Sequence, residues 1–120
     1  AVQMAEMRSG FGPQKAKHFL NAMSQIVVTA DEVNDRIDRL QASVTIDGIN
    51  RANCTTSNMQ YSLGEAIAYA SKNEQLHPGE LFGSGTLPGG SGMENGHWLR
   101  SGDILTLRID GVGELTNRIV

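Results

Sequence analysis

Four groups of side chains in this 120-residue sequence could do chemistry. Lys15, Lys17 and His18 crowd the start of a short amphipathic stretch. Such a cluster could hold an anion, but reads first as a solvated face. Asp31, Glu32 and Asp35 are close enough in sequence to suggest a metal cluster, although solvated loop carboxylates are commoner. Cys54, the single cysteine, lies in a strand-like run. No His/Asn arrangement marks it as a nucleophile, so it reads as packing. His97, beside Trp98 just after the glycine-rich loop Leu87–Gly96, could serve as a base but reads first as a packing or surface residue.

Local patterns predict the elements that must position these groups. Leu40–Ile46 alternates, with Leu40, Ala42, Val44 and Ile46 on one face and Gln41, Ser43 and Thr45 on the other, as a half-buried strand does. Asp47-Gly48 is a hairpin signal, because a type I′ turn needs positive φ at both central residues. Ile49–Thr55 is the expected return strand, and Thr55-Thr56-Ser57-Asn58 a polar loop. Ile104–Ile109 and Gly113–Val120 predict a second hairpin around Asp110-Gly111. Further short strands are expected at Ile26–Thr29, a β-branched run, and from Leu81-Phe82 into Gly83–Thr86. The acidic run 30–35 reads as a loop.

Ser62-Leu63-Gly64-Glu65 has the form of a capping box. It predicts a helix over about 62–73 with Leu63, Ala66, Ile67 and Ala70 as its buried stripe. A shorter helix is expected over about 14–23, with Phe19, Leu20 and Met23 on one side. Gln3, Met4 and Met7 are compatible with one helical face. Two echoes, Leu76-His77-Pro78-Gly79-Glu80 with Leu99-Arg100-Ser101-Gly102-Asp103 and Ile46-Asp47-Gly48-Ile49 with Ile109-Asp110-Gly111-Val112, are too short for a repeat protein. The fold class expected is α+β, mostly β, in one domain over 1–120.

Hydrophobic residues make up 39% and charged residues 19%, the balance of a globular chain. Fourteen glycines imply many tight turns. A net charge of −3 with no basic stretch argues against nucleic acid or an anionic membrane as partner. No apolar run approaches a membrane span and no signal-peptide pattern is present. A lone cysteine excludes an internal disulfide and fits a reducing, cytoplasmic setting.

Read in order, several segments resemble the fumarylacetoacetate hydrolase family. Leu76–Thr86 is similar to its Leu-x-Pro-Gly-Asp-(apolar)₂-x-(Ser/Thr)-Gly-Thr. Leu99–Asp103 followed by Ile109–Gly113 is similar to its closing Leu-x-x-Gly-Asp…Ile-x-Gly-(Ile/Val)-Gly, and Leu115–Val120 to its terminal Leu-x-Asn-x-Val. Val28-Thr29-Ala30-Asp31-Glu32, Thr56-Ser57-Asn58-Met59, Gly12-Pro13 and Lys17-x-Phe19 fall in the family's order and spacing too.

The resemblance implies a mixed β-roll or sandwich holding one Mg²⁺ or Ca²⁺. It implies ancestral metal-dependent hydrolysis of C–C bonds in β-diketones, or chemistry on related 2-oxo acids. A hard cation chelated by adjacent oxygens would stabilise an enolate leaving group. It gives Lys17 the stabilisation of developing negative charge, Glu94 the orientation of the attacking water, and Gln3 and Thr86 contact with substrate. Asn21 stands where many members have a small or hydroxylated residue near the metal. The family's carboxylate ligands, a Glu-x-Glu pair and an aspartate of an Asn-Asp-x-Ser-x-Arg-Asp segment, would lie upstream of Ala1. The expectation is therefore a partial domain with no metal ligand of its own, binding Mg²⁺ or Ca²⁺ weakly if at all and inactive alone. It would associate as a homodimer or other homo-oligomer because apolar surface is left uncovered. The alternative reading is a non-catalytic module that binds a small acid or a protein.

Overall fold

The computed structural model describes every residue but Ala1, Phe11 and Phe19, and says nothing of the Val2 side chain. Its centre is one four-stranded antiparallel sheet in the order β2-β1-β3-β4, built from β1 (Gln41–Ile46), β2 (Ile49–Thr55), β3 (Ile104–Ile109) and β4 (Gly113–Arg118). Both expected hairpins form. Asp47 and Gly48 have φ of 50° and 77°, as a type I′ turn requires. The second connection is longer. Ile109 pairs with Gly113, so three residues bridge β3 and β4.

Register decides which face is apolar. Ala42, Val44 and Ile46 pair with Ile109, Leu107 and Leu105, and Leu107 pairs in turn with Leu115. Side chains that pair directly share a face, so these residues make one apolar surface. The opposite face carries Ser43 against Arg108, Thr45 against Thr106, and Thr106 against Thr116. The two threonine hydroxyls of that last pair are hydrogen-bonded at 2.9 Å.

Several polar contacts lock the ends. Asp47 N–H donates to the Ile104 carbonyl at 3.0 Å, and Ile104 N–H to Asp47 Oδ1 at 2.9 Å, fastening the first hairpin turn to β3. Thr56 is buried beside Leu40 just before β1. Its N–H donates to the Leu40 carbonyl at 3.0 Å and its Oγ1 accepts from Leu40 N–H at 2.9 Å. The sequence echo is a structural one. Glu80 accepts from His77 N–H at 3.1 Å through Oε1, and Asp103 accepts from Arg100 N–H at 2.8 Å through Oδ2. In both, a glycine with φ above 90° (Gly79, Gly102) occupies the position only glycine holds without strain.

The helices are α1 (Val2–Arg8), α2 (Ala30–Val33), α3 (Leu63–Ala70) and α4 (Gly92–Asn95). The capping box at Ser62 is complete, with Glu65 N–H on Ser62 Oγ and Ser62 N–H on Glu65 Oε2. The helix stops at Ala70 rather than near 73, and Asn73 turns the chain at φ 59°. Its apolar stripe is not buried. Leu63 is 38% and Ile67 46% exposed.

Other expectations are corrected. Residues 14–23 give a 3₁₀ turn at Lys15–Lys17, not a helix. Leu20 and Met23 have no surface to pack on and are 99% and 58% exposed, and so short a helix is marginal without one. Phe19, named in that expectation, lies outside the described residues. Ile26–Thr29 and Leu81–Thr86 are not strands, because β-propensity without a neighbouring ladder leaves the backbone unpaired. The acidic run 30–35 is helical, as α2 followed by a 3₁₀ turn at Asn34–Arg36. The glycine-rich loop 87–96 contains the one-turn helix α4.

The fold exposes much of its surface. Its accessible area is 9783 Å². A compact monomer of 12.9 kDa would show roughly 6,300 Å². Its radius of gyration is 16.0 Å, against about 13.6 Å for a compact domain of this length. Leu40, Ile46 and Cys54 are the apolar side chains buried among the described residues.

Replacing Thr56 by Val keeps the shape but leaves Leu40 N–H without its acceptor. The expected loss is about 1–3 kcal/mol, read as a fall of several degrees in thermal midpoint. The Glu65 carboxyl is held below its ordinary value by the hydrogen bond from Ser62 N–H and then by the Ser62 hydroxyl. Its contribution is therefore present above the ordinary glutamate range and lost as pH falls through the lowered value. The helicity difference between the wild type and Glu65→Gln should be present at neutral pH and vanish in acid.

Candidate functional site

Two motif segments that lie apart in sequence meet at the end of β2. Thr55 ends β2, and Asn58 reverses the chain in the left-handed region at φ 63° before Ser62 caps α3. Ser57 N–H donates to Thr55 Oγ1 at 3.2 Å, which tightens this corner. The segment Gly83-Ser84-Gly85-Thr86 lies opposite. Gly85, at φ 96°, makes a bend that a side chain would strain. Between them is a cavity of about 390 Å³ lined by Thr56–Met59, the start of α3 and Gly83–Pro88. Its donors and acceptors are hydroxyls, the Asn58 and Gln60 amides and backbone groups of glycine-rich chain, set among Met59, Leu63, Ala66, Leu87 and Pro88. That chemistry suits a small carboxylate or enolate, which takes hydrogen bonds from several neutral donors.

Of the residues singled out from the sequence, Thr86 lines this cavity. Gln3 is on α1 and Lys17 ends the 3₁₀ turn; both are exposed and neither lines it. Their two elements are tied together by Glu6, whose carboxylate accepts from Lys15 N–H at 2.7 Å and Ala16 N–H at 2.9 Å. The structure therefore does not bring Gln3 and Lys17 to Thr86. Asn21 is exposed, outside any helix or strand.

Glu94 occupies the third position of α4 and builds a second capping box. Its Oε2 accepts from Ser91 N–H and its Oε1 from Gly89 N–H, each at 3.1 Å. Gly96 ends the turn at φ 74°. Gly92 has no room for a Cβ, which would run into the His97 carbonyl oxygen. The Ser-x-x-Glu spacing at 91–94 is the same signal as at 62–65, so this turn was legible in the sequence though read as loop. His97 is exposed, with its N–H on Asn95 Oδ1 at 3.2 Å. Cys54 is buried under this loop, and a Cβ on Gly90 would stand 3.2 Å from its sulfur.

A hard divalent cation does not fit the residues described. Among them no three His, Cys, Asp or Glu side chains stand together as a metal site. Asp31, Glu32 and Asp35 make no such group, and Glu94 is engaged by backbone amides. Among the described residues no helix is long and apolar enough to cross a membrane.

The family profile described as fumarylacetoacetate (FAA) hydrolase C-terminal matches residues 1–120. A protein of Burkholderia cenocepacia named as a hydrolase is 39% identical over 90 residues, covering 73% of this chain and 32% of that protein. The oxaloacetate tautomerase YisK of Bacillus subtilis is 35% identical over 83 residues, covering 68% of this chain and 28% of that protein. A crystal structure of a Yersinia pestis CO92 protein assigned to the fumarylacetoacetate hydrolase family superposes with a TM-score of 0.75 at 25% identity, over 99% of this chain and 53% of that one. A Mycobacterium smegmatis structure described as an HpcE protein gives 0.64 at 35% identity, over 78% and 34%. The chain thus spans about a third of the length of the curated relatives it matches.

Glu94→Ala removes both acceptors that hold the loop. Amide hydrogen exchange at Gly89–Asn95 should rise severalfold while β1 and β3 keep their protection, since only the local opening is affected.

Proposed function

Because this chain belongs to the fumarylacetoacetate hydrolase family, we propose that its cavity between Thr56–Met59 and Gly83–Thr86 receives a small 2-oxo acid or β-diketone. The convergence of those two motif segments, with their hydroxyls and backbone groups, on one cavity carries the reading. The Thr86 hydroxyl and neighbouring backbone N–H groups would hold a carboxylate or an enolate oxygen, and the start of α3 would shield it from water. In this reading Lys17 stabilises negative charge that develops on the substrate and Gln3 contacts it. Both would act only in an arrangement that carries α1 and the Lys15–Lys17 turn to the cavity. Glu94, while holding its loop, keeps lone pairs on both oxygens with which to orient a water. The family generally works with a divalent metal. The described residues do not suffice to hold one, so by themselves they bind a small acid without turning it over, and the roles of Lys17, Gln3 and Glu94 belong to an arrangement in which a metal is also held.

A second reading rests on the exposed surface. Leu63 and Ile67 on α3, with the excess accessible area, leave apolar surface that is seldom tolerated in a monomer. Self-association, most simply as a two-fold dimer, would cover it. Light scattering at micromolar concentration should give a mass above that of one chain; a monomer would count against it.

The direct test of the first reading is thermal unfolding with oxalate, which mimics a planar enolate. At 100 times the dissociation constant, binding should add about 2.7 kcal/mol, a shift of several degrees. Thr86→Val should abolish the shift without changing the unliganded midpoint. No shift at any concentration would overturn small-acid binding. Conversion of oxaloacetate by the 120-residue chain in millimolar Mg²⁺ would overturn its inactivity.

A further inference from the structure

The β1–β2 ladder slips by one residue. Val44 pairs with Ala52 and Thr45 with Asn50, so Arg51 has no partner opposite it. A bulge of this kind turns an extra side chain out of strict alternation. Here it puts Arg51 beside Val44 and Ile46 on the apolar face of the sheet, in a cleft of about 350 Å³. Leu105 and Leu107 complete the floor, and Trp98 stands at the rim on the loop that covers the sheet. Arg51 is half-buried. Its Nε is buried and has no hydrogen-bond partner among the described residues.

A buried guanidinium N–H without an acceptor is costly, and guanidinium is always charged. No aspartate or glutamate lines the cleft. The surface thus presents one cationic donor at the edge of an aliphatic floor. It shares no lining residue with the Thr56–Thr86 cavity.

We propose that this cleft is a separate binding site for a medium-chain aliphatic monocarboxylate. The carboxylate would accept from Arg51 and the alkyl chain would lie along Val44, Ile46, Leu105 and Leu107. Carboxylate on guanidinium is the strongest pairing open to this donor, because the two groups match in fork geometry. The volume is at the small end of ligand pockets, which limits the tail to a few methylenes. A neutral tail of the same length would bury the same apolar surface but leave the guanidinium charge without an anion.

Trp98 is the chain's one tryptophan, so its emission reports on this cleft alone. Hexanoate titrated into the 120-residue chain should give a saturable change in emission, and hexanamide should require at least tenfold higher concentration. Arg51→Met keeps the apolar stem and removes the donor. It should weaken hexanoate at least tenfold, leave hexanamide unchanged, and unfold at no lower temperature than the wild type without ligand. Arg51→Lys, with charge but no fork, should fall between the two. Equal affinity for hexanoate and hexanamide, or no saturable response to either, would overturn the proposal, and the wild-type comparison decides this even if a variant fails to fold. Both outcomes are independent of oxalate binding at the other cavity.

Discussion

A single sheet with one apolar face must have that face covered, and in this chain a glycine-rich loop does the covering. Val44 and Cys54 lie beneath Gly90, where a Cβ would stand 3.8 Å from Val44 and 3.2 Å from the Cys54 sulfur, so the loop packs closely on the sheet there. Glu94 then holds the loop by two of its own backbone amides. Cover, cleft and the placement of Trp98 all follow from that contact. A loop one residue thick cannot replace a second layer. Domains are ordinarily built from two packed layers, and the large accessible area measures how far one layer falls short.

The two cavities lie on opposite consequences of the same sheet. One opens where β2 ends and the chain turns polar through Thr55–Asn58. The other opens on the apolar face, where the bulge sets Arg51 among aliphatic side chains. The first is lined by neutral donors suited to a small oxo acid. The second is an aliphatic floor with one charge at its edge. Thr56 links the first to the fold itself, because the residue that begins the cavity also closes the ladder against Leu40.

Family membership and the arrangement of the site stand on different footings. The full-length match and the superposition on the Yersinia pestis structure establish the fold. They do not bring Gln3 and Lys17 to Thr86. Here α1 and the Lys15–Lys17 turn pack on each other through Glu6, which satisfies their backbone locally and leaves them independent of the sheet.

Local signals were enough where the interaction is local. The Asp47-Gly48 turn, the Ser62–Glu65 box and the glycine turns at 77–80 and 100–103 depend on contacts within a few residues, and the sequence determined each; alternation in 40–46 marked a strand by its one buried face without showing its partners. Ser91–Glu94 carried the same signal. Ile26–Thr29 and Leu81–Thr86 have strand-like composition but no ladder to join, so propensity alone misled. The stripe of α3 shows amphipathicity without showing what it packs on. The position of Arg51 was set only by tertiary structure. A bulge exists in the pairing of two strands, and no residue on one strand records how its partner slips. The same holds for the meeting of Thr56–Met59 with Gly83–Thr86. Residues 60–82 separate them, and only the folded path of α3 and the turn at His77–Glu80 closes that distance.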